Sequence, residues 1–426
     1  MNLLLIIFGK LVSLISKKLN MGHGSTWPGH LALSLNKNFV KNTIASSSVK
    51  TIFITGTNGK TTTSKIIESI LKESGKSVLL NSSGANLLNG IASSIIINSN
   101  ILGKIKKDYA IFEIDENALS QAVENLKPDY IVSLNLFRDQ LDRYGELDSI
   151  IKKWKKIYEK LEGTTFILNA DDPQISFLGN EVKKRYYFGL NNKELEQKKS
   201  EHASDSIFCP NCGNKLKYDS IYFSHLGNWK CTSCGLTRPK LSLDEYSYYP
   251  LSGTYGMYDT LAGVLLAKTL GIKEEFILNS LKKFKPAFGR QEILKLDNKF
   301  IKFFLSKNPI SFNESLKTID KEKPKNLLII LNDRIPDGTD VSWIWDVDFE
   351  TLLDKKINIF ISGDRVYDLA LRLKYAELST QNIYEDLEEA IKKGLSLTNE
   401  NQTFFILPTY SAMLDARKVL TGRKIL

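Results

Sequence analysis

The chain has 426 residues, 42% of them hydrophobic and 25% charged, with a formal net charge of +10. At about 150 residues per domain that length predicts roughly two to four domains, and the average composition excludes disordered, fibrous and membrane-embedded classes. Lysine and arginine are scattered rather than gathered in one block, so the charge names no partner by itself.

The N-terminus carries Leu3 to Phe8, then Leu11, Val12, Leu14 and Ile15, interspersed with Lys10, Lys17 and Lys18. This run is too short and too interrupted to span a bilayer. No basic region precedes it and no small-residue cleavage site follows, so a cleaved signal is not expected. An amphipathic helix packed on the body of the protein is the favoured reading, with a place at a membrane surface as the alternative. The turn-rich Gly22 to Gly29 then leads into a second helix near Leu31 to Leu35.

The apolar run Thr51-Ile52-Phe53-Ile54 enters Thr55-Gly56-Thr57-Asn58-Gly59-Lys60-Thr61-Thr62-Thr63. A buried strand, a glycine turn and a helix starting near Lys60 form a phosphate-binding loop, in which backbone N–H groups and the positive helix end converge on an anion. Lys60 would reach the terminal phosphates of ATP and the Thr61 hydroxyl would ligate Mg2+, with Thr57, Asn58, Gly59 and Thr62 lining the loop. The strict pattern wants a glycine where Ile54 stands, which argues against a generic kinase or GTPase.

Further strand-like runs follow at Ser77 to Leu80, Tyr109 to Ile114, Tyr130 to Leu134, Thr165 to Leu168 and Arg185 to Phe188, alternating with helical patterns such as Ala118 to Leu126 and Ser149 to Leu161. This alternation predicts a parallel sheet covered on both faces, with ligands at the carboxyl ends of its strands. Glu113 and the neighbouring carboxylates end one strand near the expected nucleotide metal. Asn169 and Asp172 end another, where they could meet an adenine.

All four cysteines lie in Cys209-Pro-Asn-Cys212 and Cys231-Thr-Ser-Cys234, with 18 residues between the pairs. Two such knuckles, each followed by glycine, suit a structural Zn2+ held by four thiolates. His225 lies inside this ribbon and reads as a surface histidine, because the thiolates already fill the shell. No cysteine is left to act as a nucleophile. Helices at Thr260 to Leu270 and Glu274 to Phe284 close this domain, and Pro286 to Gly289 marks its boundary. Arg290, just beyond, is placed to clamp a transferring phosphate when domains close. Strands at Lys299 to Phe304, Asn326 to Leu331, Ile357 to Ile361 and Thr403 to Leu407 predict a second, smaller α/β domain.

Taken together, the loop, the Glu113, Asn169–Asp172 and Arg290 segments, and their order resemble the Mur ligases, which join amino acids to peptidoglycan precursors through acyl phosphates. Two departures stand out. Where that family usually has Asp-His-Leu-Asp this chain has Asp139-Gln140-Leu141-Asp142, without the histidine metal ligand, and its paired asparagines correspond to Gly256 and Asp259. The ribbon and the segment Asp337 to Asp346 are similar to the MurT-type subunits within that family. The resemblance implies a Mur-ligase-like ATP-binding domain with a parallel sheet over residues 46–289, with the zinc ribbon inserted at about 205–240. An N-terminal helical segment over 1–45 precedes it, and a smaller C-terminal Rossmann-like α/β domain over 290–426 follows.

It also implies a synthetase that pairs with a GatD-type glutaminase and amidates the D-glutamate α-carboxyl of lipid II, in the cytoplasm at the inner face of the plasma membrane. The membrane would be met only through the lipid-linked substrate. Asp340, with Asp337 and Asp346 as alternatives, becomes the candidate for handling ammonia, and Ser306-Lys307-Asn308-Pro309 is similar to a substrate-side loop. An ordinary Mur or folylpolyglutamate-type ligase is the competing enzyme. A zinc-ribbon nucleic-acid-binding ATPase is the competing class, disfavoured because the ribbon offers only Lys215, Lys217 and Lys230 to a polyanion.

Overall fold

The computed structural model describes all residues except 1, 19–25, 82–84, 101, 139–146, 198–204, 354, 379–381 and 423–426. Six parallel strands form the central sheet: β1 (Lys50–Thr55), β2 (Val78–Leu80), β3 (Tyr109–Glu113), β4 (Tyr130–Ser133), β5 (Thr165–Asn169) and β6 (Arg185–Phe188). Their order is β2-β3-β1-β4-β5-β6, so the winding direction reverses beside β1. That crevice, outside the carboxyl ends of the strands, is where such sheets bind ligands.

Period-two alternation explains why both faces are covered. Phe53, Phe112, Ile131 and Phe166 point to one side, into a core completed by helices Leu88–Asn98, Leu119–Asn125 and Leu147–Tyr158. Ile52, Ile54, Ile111, Val132 and Ile167 point to the other, under helices Lys60–Glu73 and Thr254–Thr269. The latter helix begins at Thr254, six residues before the predicted Thr260, because Gly253 has φ +87° and lets the chain turn into it.

After β6 the chain forms the hairpin β7 (Lys217–Phe223) and β8 (Leu226–Lys230) that carries the cysteines. The second sheet comprises β9 (Arg290–Leu296), β10 (Lys299–Phe304), β11 (Asn326–Ile330), β12 (Asn358–Ser362) and β13 (Thr403–Pro408), ordered β12-β11-β13-β10-β9. Four of these strands are parallel and β9 pairs antiparallel with β10, so the domain is α/β with a mixed sheet. Strand β9 is absent from the pattern of apolar runs. It is an edge strand with one buried residue, Gln291, so it lacks an apolar run.

Helix Asn2–Lys18 packs against helices Trp27–Leu35 and Leu88–Asn98. Among the described residues no helix is long and apolar enough to cross a membrane.

Candidate active site

Two glycines make the phosphate loop possible. Gly56 has φ +133°, and a Cβ there would stand 2.9 Å from the backbone N and O of Asn135. Gly59 has φ +91°, and a Cβ there would stand 2.1 Å from Asp259 Oδ1. No side chain other than glycine fits either place. Asn135, at the end of β4, holds the loop from beside: Asn58 N donates to its Oδ1 at 2.9 Å and its Nδ2 donates to Asn58 O at 3.1 Å. The helix that begins at Lys60 has no side-chain cap, so its first amides remain available to phosphate oxygens.

Lys60 Nζ donates to Gly56 O, to Thr57 O at 3.2 Å and to Glu116 Oε2 at 3.1 Å. Burial would raise the Glu116 carboxyl, but the Lys60 and Lys307 ammonium groups outweigh it and hold the group below its ordinary range. Thr61 Oγ1 donates to Glu113 Oε2 at 2.8 Å. Cis oxygen ligands about 2.1 Å from Mg2+ stand about 2.9 Å apart, so this pair fits the ion that accompanies a nucleotide. Burial raises the Glu113 carboxyl despite the Thr61 hydroxyl and the nearby Arg290 and Lys60.

The second domain reaches the same loop. Arg290 lies close enough to lower both Glu113 and Asp259 electrostatically, and Asn308 Nδ2 donates to Asn58 Oδ1 at 3.2 Å. Gln291, with φ +58°, clamps the junction by accepting from Ser252 N at 3.0 Å and donating to Ser252 O and the Tyr255 hydroxyl. Lys307 and Asn308 thus belong beside the loop. Nothing local distinguishes Ser306-Lys307-Asn308-Pro309 from a capped helix start, which it also is, so only the fold reveals this place.

Asp259 faces the back of the loop. Thr63 Oγ1 donates to its Oδ1 at 3.3 Å, Oδ2 has no hydrogen-bond partner among the described residues, and burial pushes the carboxyl up to about 8. Asn169 and Asp172 sit at the end of β5 but are committed to the fold. Asn169 donates to Leu134 O and accepts from Asp171 N. Asp172 caps helix Pro173–Leu178 by accepting from Gln174 N at 2.8 Å and Ile175 N at 3.2 Å, and it accepts from Leu136 N at 2.8 Å. Both side chains are fully buried, and each of their polar atoms already has a partner within the fold.

The three carboxylates of the second domain are not equivalent. Asp337 is buried and accepts from the Ser411 amide at 2.7 Å and from the Ser411 hydroxyl, which fixes the start of helix Tyr410–Thr421. Asp340 is exposed and accepts from Ser342 N at 2.8 Å, a bond that lowers its carboxyl. Asp346 is exposed and near enough to Arg138 to raise that guanidinium. The Asp139–Asp142 segment lies outside the described residues.

The cysteine sulfurs all lie within 4.8 Å of one another, with Cys209–Cys234 at 3.6 Å and Cys212–Cys231 at 3.5 Å. Disulfide sulfurs stand about 2.05 Å apart. Thiolates about 2.3 Å from a tetrahedral Zn2+ stand about 3.8 Å apart, so this donor set fits that ion. Gly213 N and Gly235 N close the two knuckles on Cys209 O and Cys231 O.

The hairpin docks on the end of β5. Trp229 Nε1 donates to Ala170 O at 3.1 Å and Gly227 N to Asp171 O at 3.1 Å. Asp171 anchors the ribbon through Arg238 at 2.6 Å and also accepts from the Tyr258 hydroxyl of helix Thr254–Thr269 at 2.6 Å. Burial pushes Asp171 up to about 6 against the pull of Arg238. His225 is a correction: it is 2% exposed rather than on the surface. The hairpin tip folds inward, setting its ring against Phe137 with Nε2 at 3.6 Å from Asp172 Oδ2.

With this geometry in view, the chain matches the Mur ligase middle domain over residues 54–221 and the MurT ligase C-terminal domain over residues 305–413. It is 33% identical to the lipid II isoglutaminyl synthase (glutamine-hydrolyzing) subunit MurT of Streptococcus pneumoniae, over 95% of this chain and 94% of that protein. It is 32% identical to the same subunit of Staphylococcus aureus, over 92% of this chain and 91% of that one. Among solved structures it is similar to a pseudomurein peptide ligase type C from Methanothermus fervidus, with TM-score 0.66 and 25% identity, covering 88% of this chain and 79% of that one.

Proposed function

The chain belongs to the MurT family of lipid II isoglutaminyl synthase subunits, and on that premise we propose that it amidates the α-carboxyl of D-glutamate in the lipid II stem peptide, giving D-isoglutamine. One observation supports this most: Thr61 and Glu113 from the first domain meet Arg290, Lys307 and Asn308 from the second around a single phosphate loop. A reaction that passes a phosphoryl group to a carboxylate and then captures the acyl group needs such a two-sided site.

ATP supplies the phosphoryl group; Thr61 and Glu113 would hold the accompanying Mg2+, which would offset the charge on the phosphates. A substrate carboxylate oxygen attacks the γ-phosphorus and ADP leaves. Arg290 offsets the charge that spreads over the transferring oxygens. Ammonia then attacks the acyl carbon, phosphate departs with the C–O bond pair, and the proton lost by nitrogen passes to that phosphate or to solvent. The Asp340 carboxylate, held below its usual range by the Ser342 bond and so a weaker base, orients the ammonia rather than deprotonating it. Asp337 is too committed to Ser411 for that task, and Asp346 is the alternative.

All four cysteines converge in the ribbon, where Zn2+ would hold the hairpin. The ammonia is therefore to come from a second subunit, a GatD-type glutaminase with its own thiol nucleophile. Purified chain given lipid II, ATP and ammonium chloride should form the amide. With glutamine it should do so only after the glutaminase is added, and glutamine-dependent amidation by the chain alone would overturn the reading.

A further inference from the structure

Helix Asn2–Lys18 is amphipathic in an unexpected direction. Its buried side consists of Leu5, Ile6, Gly9 and Ser13. Gly9 permits this close seating, since a Cβ there would meet Ile96 Cγ2 at 2.9 Å, and Lys10 Nζ ties the helix to Ser99 O. Most of its larger apolar residues face away from the protein. Leu3, Leu4, Ile7, Phe8, Leu11 and Leu14 follow the three-and-four spacing of a single helical face and are 43–72% exposed. The adjoining elements continue the patch: Leu102 precedes Gly103, which packs on Ile6, and Trp27 opens the neighbouring helix, both largely exposed. Scattered exposed apolar side chains need no explanation, but six large ones on one helix face do.

The charge around this face identifies its partner. Residues 1–50 contain six lysines and no aspartate or glutamate, which supplies more than half of the net +10. Lys37 and Lys41, and Lys104 and Lys106 in the loop that packs on the helix, are exposed. A wide apolar stripe on a segment whose charged residues are all lysines matches the acyl–headgroup boundary of an anionic bilayer, where apolar side chains sink below the headgroups and ammonium groups stay among the phosphates. Trp is also favoured at that depth.

We propose that helix Asn2–Lys18, with Trp27 and Leu102 beside it, is a membrane-contact surface that lies in the interface of an anionic lipid bilayer. This departs from the expectation that the chain meets the membrane only through its substrate. The surface rests on the helix and its charges alone. Its purpose, delivering the site to a lipid-linked substrate, rests on the amidation reading. Helix Leu88–Asn98 bridges the two places: one end packs near Gly9 and Lys10, and the loop before its other end bonds Glu113 and Asp115 through Asn81 and Asn86. Eleven helical residues span about 16 Å, so a single helix links the seat of the patch to the loop that bonds the Glu113 backbone.

The test uses the full chain and vesicles that contain no lipid II, so that it stands apart from the amidation reading. The chain should co-sediment with vesicles of equal phosphatidylglycerol and phosphatidylcholine and much less with phosphatidylcholine alone. Raising sodium chloride from 0.05 to 0.5 M should weaken the binding, since added salt shortens electrostatic reach. Ile7→Asp with Leu11→Asp should lower the partition coefficient at least ~tenfold while leaving the unfolding midpoint and nucleotide binding unchanged, because both positions are exposed. Lys37→Gln with Lys41→Gln, which leaves the helix untouched, should lower it several-fold on anionic vesicles only.

Failure of the native chain to bind anionic vesicles overturns the proposal, as does equal binding by the Ile7 and Leu11 variant. A light-scattering mass that halves in that variant, without vesicle binding by the native chain, would instead assign the face to a second copy. Loss of glutaminase binding with vesicle binding intact would assign it to the partner subunit.

Discussion

The carboxyl ends of β1 and β5 lie in the same sheet, and both are followed by polar residues and a helix, yet they have opposite fates. After β1 the loop leaves its first helical amides uncapped and sets Thr61 against Glu113. After β5 the polar groups are consumed: Asp172 caps its helix, Asn169 bonds two backbone groups and Asp171 anchors the ribbon. The difference lies in what supports each turn. Glycines and Asn135 shape the first, so its side chains are spared for ligand. Carboxylates shape the second, so little remains for chemistry. A polar strand end is thus a candidate site only after its own backbone has been satisfied.

Substitutions on the two sides should therefore fail in different ways. The largest effect is expected at Lys60→Ala, which should reduce amidation by about 10³-fold or more through lost stabilisation of the transferring phosphoryl group, with the unfolding midpoint little changed; steady-state rates and a thermal melt on the same preparation decide this. Asp171→Ala should do the reverse. Leaving Arg238 buried without its partner should cost about 3–5 kcal/mol in a denaturant titration, and loss of activity without loss of stability would contradict it.

Asp172→Ala removes a cap and an acceptor for Leu136 N, for about 2–3 kcal/mol. If it weakened nucleotide binding at full stability, the adenine role would be restored. The effect at Asp259, whose folded carboxyl is pushed up to about 8 by burial, shows as a dependence on pH rather than as a loss at one pH. A raised folded value gives stability that is fully present below about pH 4, the unfolded value, and is lost as pH rises through about 8. Asp259→Asn should therefore flatten the decline in unfolding midpoint between pH 5 and pH 9, and an unchanged slope would place the proton elsewhere.

Much of the first region was legible in the chain because its signals are local. Ile52-Phe53-Ile54 marks the strand, Gly56 and Gly59 mark the turn, and the cysteine spacing marks the knuckles. The parallel sheet followed from strand–helix alternation, which both cores bear out. What escaped depends on docking between distant segments. His225 has no local sign that Phe137 will cover it, and Asn308 has none that it will cross to Asn58. Nor does the stretch Asn169 to Asp172 announce that a hairpin some fifty residues later will sit on it. The outward stripe of the first helix was legible as amphipathic, but its direction was not, because periodicity alone does not say which face turns to the protein.

The ion pair between Lys60 and Glu116 bears on affinity as well as on chemistry. Glu116 behaves as an intramolecular competitor: each nucleotide must displace a built-in carboxylate from the ammonium it needs, so the observed dissociation constant is the intrinsic one divided by the fraction of loops already released. The enzyme gives up some of its grip on ATP, and a lysine that would otherwise be unpaired in a closed crevice keeps a counterion between turnovers.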